Sequence, residues 1–213
     1  MKALWFDLDN TLIDRDEAFV RYLQACWPAP EPTHDQWLVI DDHGQGPRRA
    51  LCEAIAARYT QHTADEIWSH MKANLGHHVI PRQALLDVLA RIQSRFEVCL
   101  ISNGSGPNQR LKLRKAGLDR IFDERRILIS GEVGHDKPDR VIFERAQRIT
   151  QCAPEDTVMI GDSVSCDCLG AMNYGTRCAW ISWGRRWPQP LHPRPEWTHQ
   201  TIDDLIDWLN TLA

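Results

Sequence analysis

Five short, mostly apolar runs recur along the chain, at 3–8, 97–102, 127–129, 157–160 and 177–181. Each contains β-branched or aromatic residues and is bounded by Gly, Pro, Asp or Asn. Continuous runs of this length suit strands covered on both faces, as in a parallel sheet. The stretches between them have helical spacing. In 81–95 a single stripe holds Leu85, Leu86, Leu89 and Ile92, 108–116 stops at Gly117, 139–149 follows a Pro, and 167–174 stops at Gly175. A last amphipathic segment, 202–212, carries Ile202, Leu205, Ile206 and Leu209 on one face. Strands alternating with helices predict an α/β fold with a parallel sheet and crossover helices.

Residues 14–78 break the alternation. Helical spacing occurs at 17–25, 47–59 and 64–74, with Thr63 and Glu66 placed as a capping box for the third, and no strand pattern intervenes. The pattern predicts a small all-helical domain at 14–78, inserted after the first strand of a core formed by 1–13 and 79–213. The Pro- and Trp-rich stretch 183–197, with Pro188, Pro190, Pro193 and Pro195, reads as a loop.

Composition narrows the picture only modestly. The chain has 213 residues, enough for one domain with an insertion, and 43% hydrophobic with 25% charged residues excludes a disordered or fibrous chain. Twenty-five Lys and Arg against 29 Asp and Glu give a net charge of −4, which argues against a nucleic-acid partner. The first residues turn acidic too early for a secretion signal, and no apolar run approaches the roughly 18 residues of a membrane span. The seven cysteines include no C-x-x-C pair, so they read as reduced thiols of a cytoplasmic protein. Trp5 is expected in the sheet core, Trp27, Trp37 and Trp68 in the core of the insertion, and His77-His78 on the surface.

The candidate chemistry lies at the ends of the predicted strands, where open parallel sheets bind ligands. The first strand runs into Asp7-Leu8-Asp9-Asn10-Thr11, and the second ends in Ser102-Asn103-Gly104. Lys137 stands before a helix in His135-Asp136-Lys137-Pro138-Asp139, and the fourth strand ends in Gly161-Asp162-Ser163, with Asp167 five residues beyond Asp162. Clustered carboxylates need a compensating cation, and Mg²⁺ suits an all-oxygen site shared with a phosphate. A fixed ammonium with hydroxyl and amide donors suits the remaining phosphoryl oxygens, so the set is one for phosphoryl transfer.

These four segments, DLDNTLID, ISNG, HDKPD and GDSVSCDCLGA, resemble in their order the four motifs of the haloacid dehalogenase (HAD) superfamily. The resemblance implies a Rossmann-like parallel sheet with helices on both faces, and roles for the matching positions. It makes Asp7 the nucleophile that forms an aspartyl-phosphate and Asp9 the acid that protonates the leaving oxygen and then activates water. Thr11, Ser102 and Asn103 bind or position the phosphoryl group, and Lys137 links it to the nucleophile. Asp162 holds Mg²⁺ with the Asp7 carboxylate and the Asp9 carbonyl, and Asp167 supports that shell. The helical insertion resembles a type-1 cap, whose candidate specificity residues are Arg15, His43, Arg48 and Arg49 near the turn at 41–46. Lys137 follows Asn103 by 34 positions, which leaves no space for a large second cap.

Asp9 chooses within the superfamily. Displacing a halide needs no proton, whereas an alkoxide leaving group does. The expected activity is therefore a Mg²⁺-dependent phosphatase acting on a small soluble phosphomonoester (a sugar phosphate, nucleotide or flavin mononucleotide), in a monomer or homodimer. The alternatives are a 2-haloacid dehalogenase, a phosphomutase with the same motifs, or a non-catalytic binding protein on the same fold.

Overall fold

The structure is a computed structural model describing residues 1–30, 33–188 and 193–213. The chain divides into two compact units, Met1–Ile13 with Pro81–Ala213, and Asp14–Ile80. The second junction lies two residues beyond position 78, because Val79 still bonds back to the Gly76 carbonyl.

Strand β1 (Ala3–Phe6) leads into the helical unit, which comprises α1 (Arg15–Cys26), α2 (Thr33–Asp41), α3 (Arg48–Arg58) and α4 (Ala64–Asn74). The chain then returns through α5 (Gln83–Ile92), β2 (Glu97–Ser102), α6 (Gly106–Ala116), β3 (Ile127–Ile129) and the single turn α7 (Ser130–Val133). It continues through α8 (Arg140–Thr150), β4 (Thr157–Gly161), a wide π-helical turn at Val164–Leu169, α9 (Gly170–Tyr174), β5 (Arg177–Ile181), β6 (Trp197–His199) and α10 (Ile202–Leu212).

The six strands form one sheet in the order β3-β2-β1-β4-β5-β6, every neighbouring pair parallel. β1 and β4 are central, so the polar residues that follow them emerge side by side. Both are buried along their length, which explains their unbroken apolar sequences. On one face Trp5, Ile101 and Met159 pack with Ile142, Phe143, Ala146 and Tyr174 from α8 and α9. The Trp5 ring stacks on Phe143 at 6.3 Å, and its indole N–H donates to Thr150 at 3.3 Å.

Several elements depart from the sequence pattern. β1 stops at Phe6 rather than Leu8, because the Leu8 carbonyl gathers the N–H groups of Thr11, Leu12 and Ile13 into a tight winding. The helix expected from Asp167 begins earlier, as the π-helical turn. β6 begins at Trp197, the last residue of the stretch read as a loop, of which 189–192, Pro190 included, lie outside the described residues. α2 was not expected at all. Its apolar residues form no stripe, and Val39 is 79% exposed.

Within the helical unit, the Thr63/Glu66 capping box forms. Trp27 and Trp37 are buried, and the Trp27 indole donates to Tyr22 Oη at 2.7 Å. Trp68 is less buried than these two tryptophans. It is half-buried, with the Arg48 guanidinium 5.8 Å and the Lys72 ammonium 5.3 Å from its ring. His77 is exposed, but His78 is half-buried, edge-on to Tyr22 at 5.9 Å.

Candidate active site

The winding after β1 sets the first two carboxylates. Asp7 continues the sheet ladder through its N–H to the Ile160 carbonyl (2.9 Å), then the chain coils on Leu8 and passes Asn10 with φ at +55°. A left-handed residue that is not glycine is uncommon, and such positions concentrate at functional turns. The coil separates two carboxylates, at i and i+2, that an extended strand would send to the same face. Asp7 is buried at 6% exposure, whereas the Asp9 side chain is 28% exposed.

Lys137 meets Asp7 from the loop before α8. Its ammonium donates to Asp7 Oδ1 at 2.5 Å and to the Ile101 carbonyl at 2.6 Å, and it forms an ion pair with Asp167 Oδ1 at 2.7 Å. Two hydrogen bonds and two carboxylates thus compensate the buried ammonium. Asn103 fixes this loop. Its side-chain oxygen accepts the Lys137 N–H at 2.8 Å, and its Nδ2 donates to the Lys137 carbonyl at 2.9 Å. The Asn103 amide therefore grips the Lys137 backbone instead of presenting itself as an open ligand.

β4 delivers the second acidic pair. Asp167 Oδ2 accepts the Ser163 N–H at 2.9 Å, drawing the π-helical turn onto the strand end. A Cβ on Gly161 would stand 2.3 Å from Asp167 Oδ2, so only glycine admits this approach. Asp162 receives a cation absent from the four motifs: Arg185 donates to its Oδ2 at 3.0 Å and to its carbonyl at 2.9 Å. Two tryptophans brace the same region. The Trp180 indole donates to the Asp162 carbonyl at 2.9 Å, and Trp183 to the Asn10 carbonyl at 2.7 Å. The loop after β5 is thus tied to both acidic strand ends.

Asp9 also has partners that the motifs do not name. Lys112 Nζ lies 2.7 Å from each of its oxygens, and Gln109 Nε2 donates to Oδ2 at 3.0 Å and to Ser102 Oγ at 2.6 Å. Both come from α6, whose buried face comprises Gly106, Gln109, Lys112, Leu113 and Ala116. The polar positions 109 and 112, one helical turn apart on the face that also carries Leu113 and Ala116, were the available signal. Thr11 is fully buried, and its hydroxyl has no hydrogen-bond partner among the described residues.

The electrostatics favour a cation. Burial, the largest influence, pushes the Asp7 carboxyl up to about 7 against the pull of Lys137, and Asp167 and Asp9 add to the rise. Burial, then Asp167 and Asp7, hold Asp162 well above the usual carboxylate range despite Arg185. Burial alone would depress Lys137, but Asp167 and Asp7 outweigh it and keep the ammonium charged. Asp7, Asp162 and Asp167 bring carboxylate oxygens within 4.8 Å of one another. This crowded, all-oxygen set fits a hard divalent ion such as Mg²⁺.

The candidates in the helical unit form a network of their own. Arg15, 4% exposed, makes a two-pronged ion pair with buried Asp41, and Arg48 reaches Asp41 Oδ1 at 2.9 Å. His43 contacts Asp16 through Nδ1, in a turn where Asp42 and His43 both have positive φ. Arg49 does not join them. One residue on from Arg48 it faces away, with a 70% exposed side chain paired to Glu53 at 2.6 Å and Asp65 at 3.4 Å. Asp41 and Asp16 offset much of the positive charge the sequence suggested there.

Known proteins match this chain widely. The family described as haloacid dehalogenase-like hydrolase matches residues 4–181. A Bacillus subtilis protein named as a HAD-hydrolase, YfnB, is 31% identical over 204 residues, spanning 85% of this chain and 84% of its own. A crystal structure of YfnB, described as bound to magnesium, superposes with a TM-score of 0.77 over 98% of both chains at 24% identity. The N-acylneuraminate-9-phosphatase of Mus musculus is 25% identical over all of this chain and 95% of its own length.

Proposed function

The chain belongs to the haloacid dehalogenase-like hydrolase family, and we propose that within it this protein is a Mg²⁺-dependent phosphatase of small phosphomonoesters. The observation that carries the reading is the pair of unlike carboxylates after β1. Asp7 is buried against Lys137, while Asp9 is more open and held by Lys112. Hydrolysis through a covalent intermediate needs one carboxylate as nucleophile and another to manage protons.

On this reading Asp7 attacks phosphorus and forms an aspartyl-phosphate as the ester oxygen leaves. Asp9 gives that oxygen a proton, then takes one from the water that hydrolyses the acyl phosphate. Lys137 holds Asp7 in line and neutralises charge on the phosphoryl group. The Ser102 hydroxyl and the orphaned Thr11 hydroxyl offer donors to phosphoryl oxygens; a buried hydroxyl left unpaired costs about 1–3 kcal/mol, which such a bond relieves. Asn103 acts by fixing Lys137. Asp7, Asp162 and the Asp9 carbonyl would hold Mg²⁺, with Asp167 and Arg185 as supports, and the ion would offset the charge of the transferring group. The helical unit, as a cap, would set the choice of ester through Arg15, His43 and Arg48. The related phosphatase supports a phosphorylated metabolite as substrate, and seven free thiols support a reducing compartment such as the cytoplasm.

The test is phosphate release from a panel of sugar phosphates, nucleotides, flavin mononucleotide and 4-nitrophenyl phosphate, with Mg²⁺ or EDTA, and 2-chloropropionate assayed for halide. Mg²⁺-dependent phosphate release is expected. Halide release with silence on every ester would overturn the reading, and transfer of phosphate within a substrate without its release would indicate a mutase.

A further inference from the structure

The grip of α6 on Asp9 has no part in the four motifs, yet it is among the most closely built features of the site. Lys112 is 4% exposed and Gln109 is 1% exposed. Burying an ammonium and an amide is costly unless each meets good acceptors, and both side chains end on the Asp9 carboxylate. Lys112 spans both carboxylate oxygens at 2.7 Å. Gln109 ties Oδ2 (3.0 Å) to the hydroxyl of Ser102 (2.6 Å), linking the winding after β1 to the end of β2. The space that Gln109 occupies exists because residue 104 is glycine. A Cβ there would come within 3.1–3.2 Å of the Gln109 side chain, and the backbone stands at φ +137°.

We propose that Lys112 and Gln109 are positioning residues for the proton transfers made by Asp9, fixing its carboxylate in the orientation from which it serves the leaving oxygen. The proposal rests on the phosphatase reading. Its basis is geometric: Lys112 and Gln109 between them engage both oxygens of a carboxylate that is 28% exposed, and misplacement of a reacting group by about 1 Å can cost roughly 10²-fold in rate. The chemistry is unchanged. The P–O bond to the leaving group breaks, the new P–O bond forms to Asp7, and the proton moves from Asp9 to the departing oxygen.

The proposal makes a prediction that a merely structural role does not. Protonation matters for a basic alkoxide and hardly at all for 4-nitrophenolate, so the loss in Lys112→Met should depend on the leaving group. The readout is kcat/KM, which reports the steps up to the aspartyl-phosphate and excludes its hydrolysis. Glycerol 2-phosphate and 4-nitrophenyl phosphate are the probes, in Mg²⁺. Lys112→Met should lower kcat/KM roughly 10²-fold for the glycerol ester and about tenfold or less for the aryl ester, following the usual size of general acid catalysis. Gln109→Leu should show the same selectivity to a smaller degree, and Lys112→Arg should restore part of the loss. In an Asp9→Asn background, Lys112→Met should add little, since its effect runs through Asp9.

Equal losses on both esters, no loss on either, or a full additional loss in the Asp9→Asn background would overturn the proposal while leaving the phosphatase reading intact. If Lys112→Met does not fold, Gln109→Leu and Lys112→Arg carry the same comparison. Lack of turnover of any ester by the unaltered protein would overturn the phosphatase reading and this proposal together.

Discussion

Asp7 and Lys137 show most clearly how single side chains set the site's behaviour. The folded protein holds Asp7 at about 7 against an ordinary 3.8, so folding favours its protonated form. That contribution to stability is fully present below about pH 4 and is lost as pH rises through 7. In EDTA, urea unfolding should therefore show the protein losing stability from pH 5 to pH 8, and Asp7→Asn should flatten that slope. An identical slope in the two proteins would contradict the assigned burial cost. Lys137→Met removes the ammonium shared by two buried carboxylates. It should cost about 3–5 kcal/mol in metal-free protein, the usual effect of breaking a buried pair from one side, measurable by denaturant titration. The sequence made Asp7, Lys137, Asp162 and Asp167 legible as a convergent group, because each stands at or just beyond a predicted strand end. It left Lys112, Gln109 and Arg185 unread. Their contacts join positions 103, 100 and 23 residues apart, and nothing in a local pattern distinguishes a buried lysine on a helix from a solvated one. Arg49 failed in the opposite direction, because adjacency to Arg48 on a helix places it about 100° around the axis.

At the scale of elements, the central strands were the easiest to read, because burial on both faces leaves an unbroken apolar run. The peripheral elements were hard. β6 has three residues and follows a Pro-rich stretch, while α2 exposes Val39 and so has no clean stripe. The turn after β4 could not have been placed by periodicity, since its π-helical winding has neither helix nor strand spacing. It is nevertheless what brings Asp167 onto Gly161. Gly161→Ala should force the two apart, lowering the melting temperature and reducing turnover by at least about tenfold, a displacement of the kind that costs rate steeply. A variant with unaltered melting and turnover would show that the close approach is dispensable. Thr63→Ala removes one half of the capping box of α4 and should cost about 1 kcal/mol with kcat unchanged, by chemical denaturation alongside phosphate release.

Across the whole molecule, the sheet order puts β1 and β4 next to each other and so gathers carboxylates from two distant segments. Four acids (Asp7, Asp9, Asp162, Asp167) face three cations (Lys112, Lys137, Arg185). Without metal the crowding favours protons on Asp7 and Asp162, which a divalent ion would displace. Mg²⁺ should therefore raise the melting temperature, by a thermal shift that grows with its concentration and with pH from 6 to 8, as the ion displaces protons. Asp162→Asn should weaken that shift, whereas a shift of equal size in that variant would exclude Asp162 as a ligand. The α/β alternation and the helical interruption were legible because they are periodic over long stretches.

The most direct test of the central claim is acid quenching of the Mg²⁺-loaded protein during turnover of a radiolabelled phosphomonoester, followed by mapping of the label. The account predicts a hydroxylamine-labile phosphoryl group on the peptide that carries Asp7, absent from Asp7→Asn, which should remain folded and lose phosphate release. Undiminished turnover by Asp7→Asn, or label confined to another residue, would contradict it.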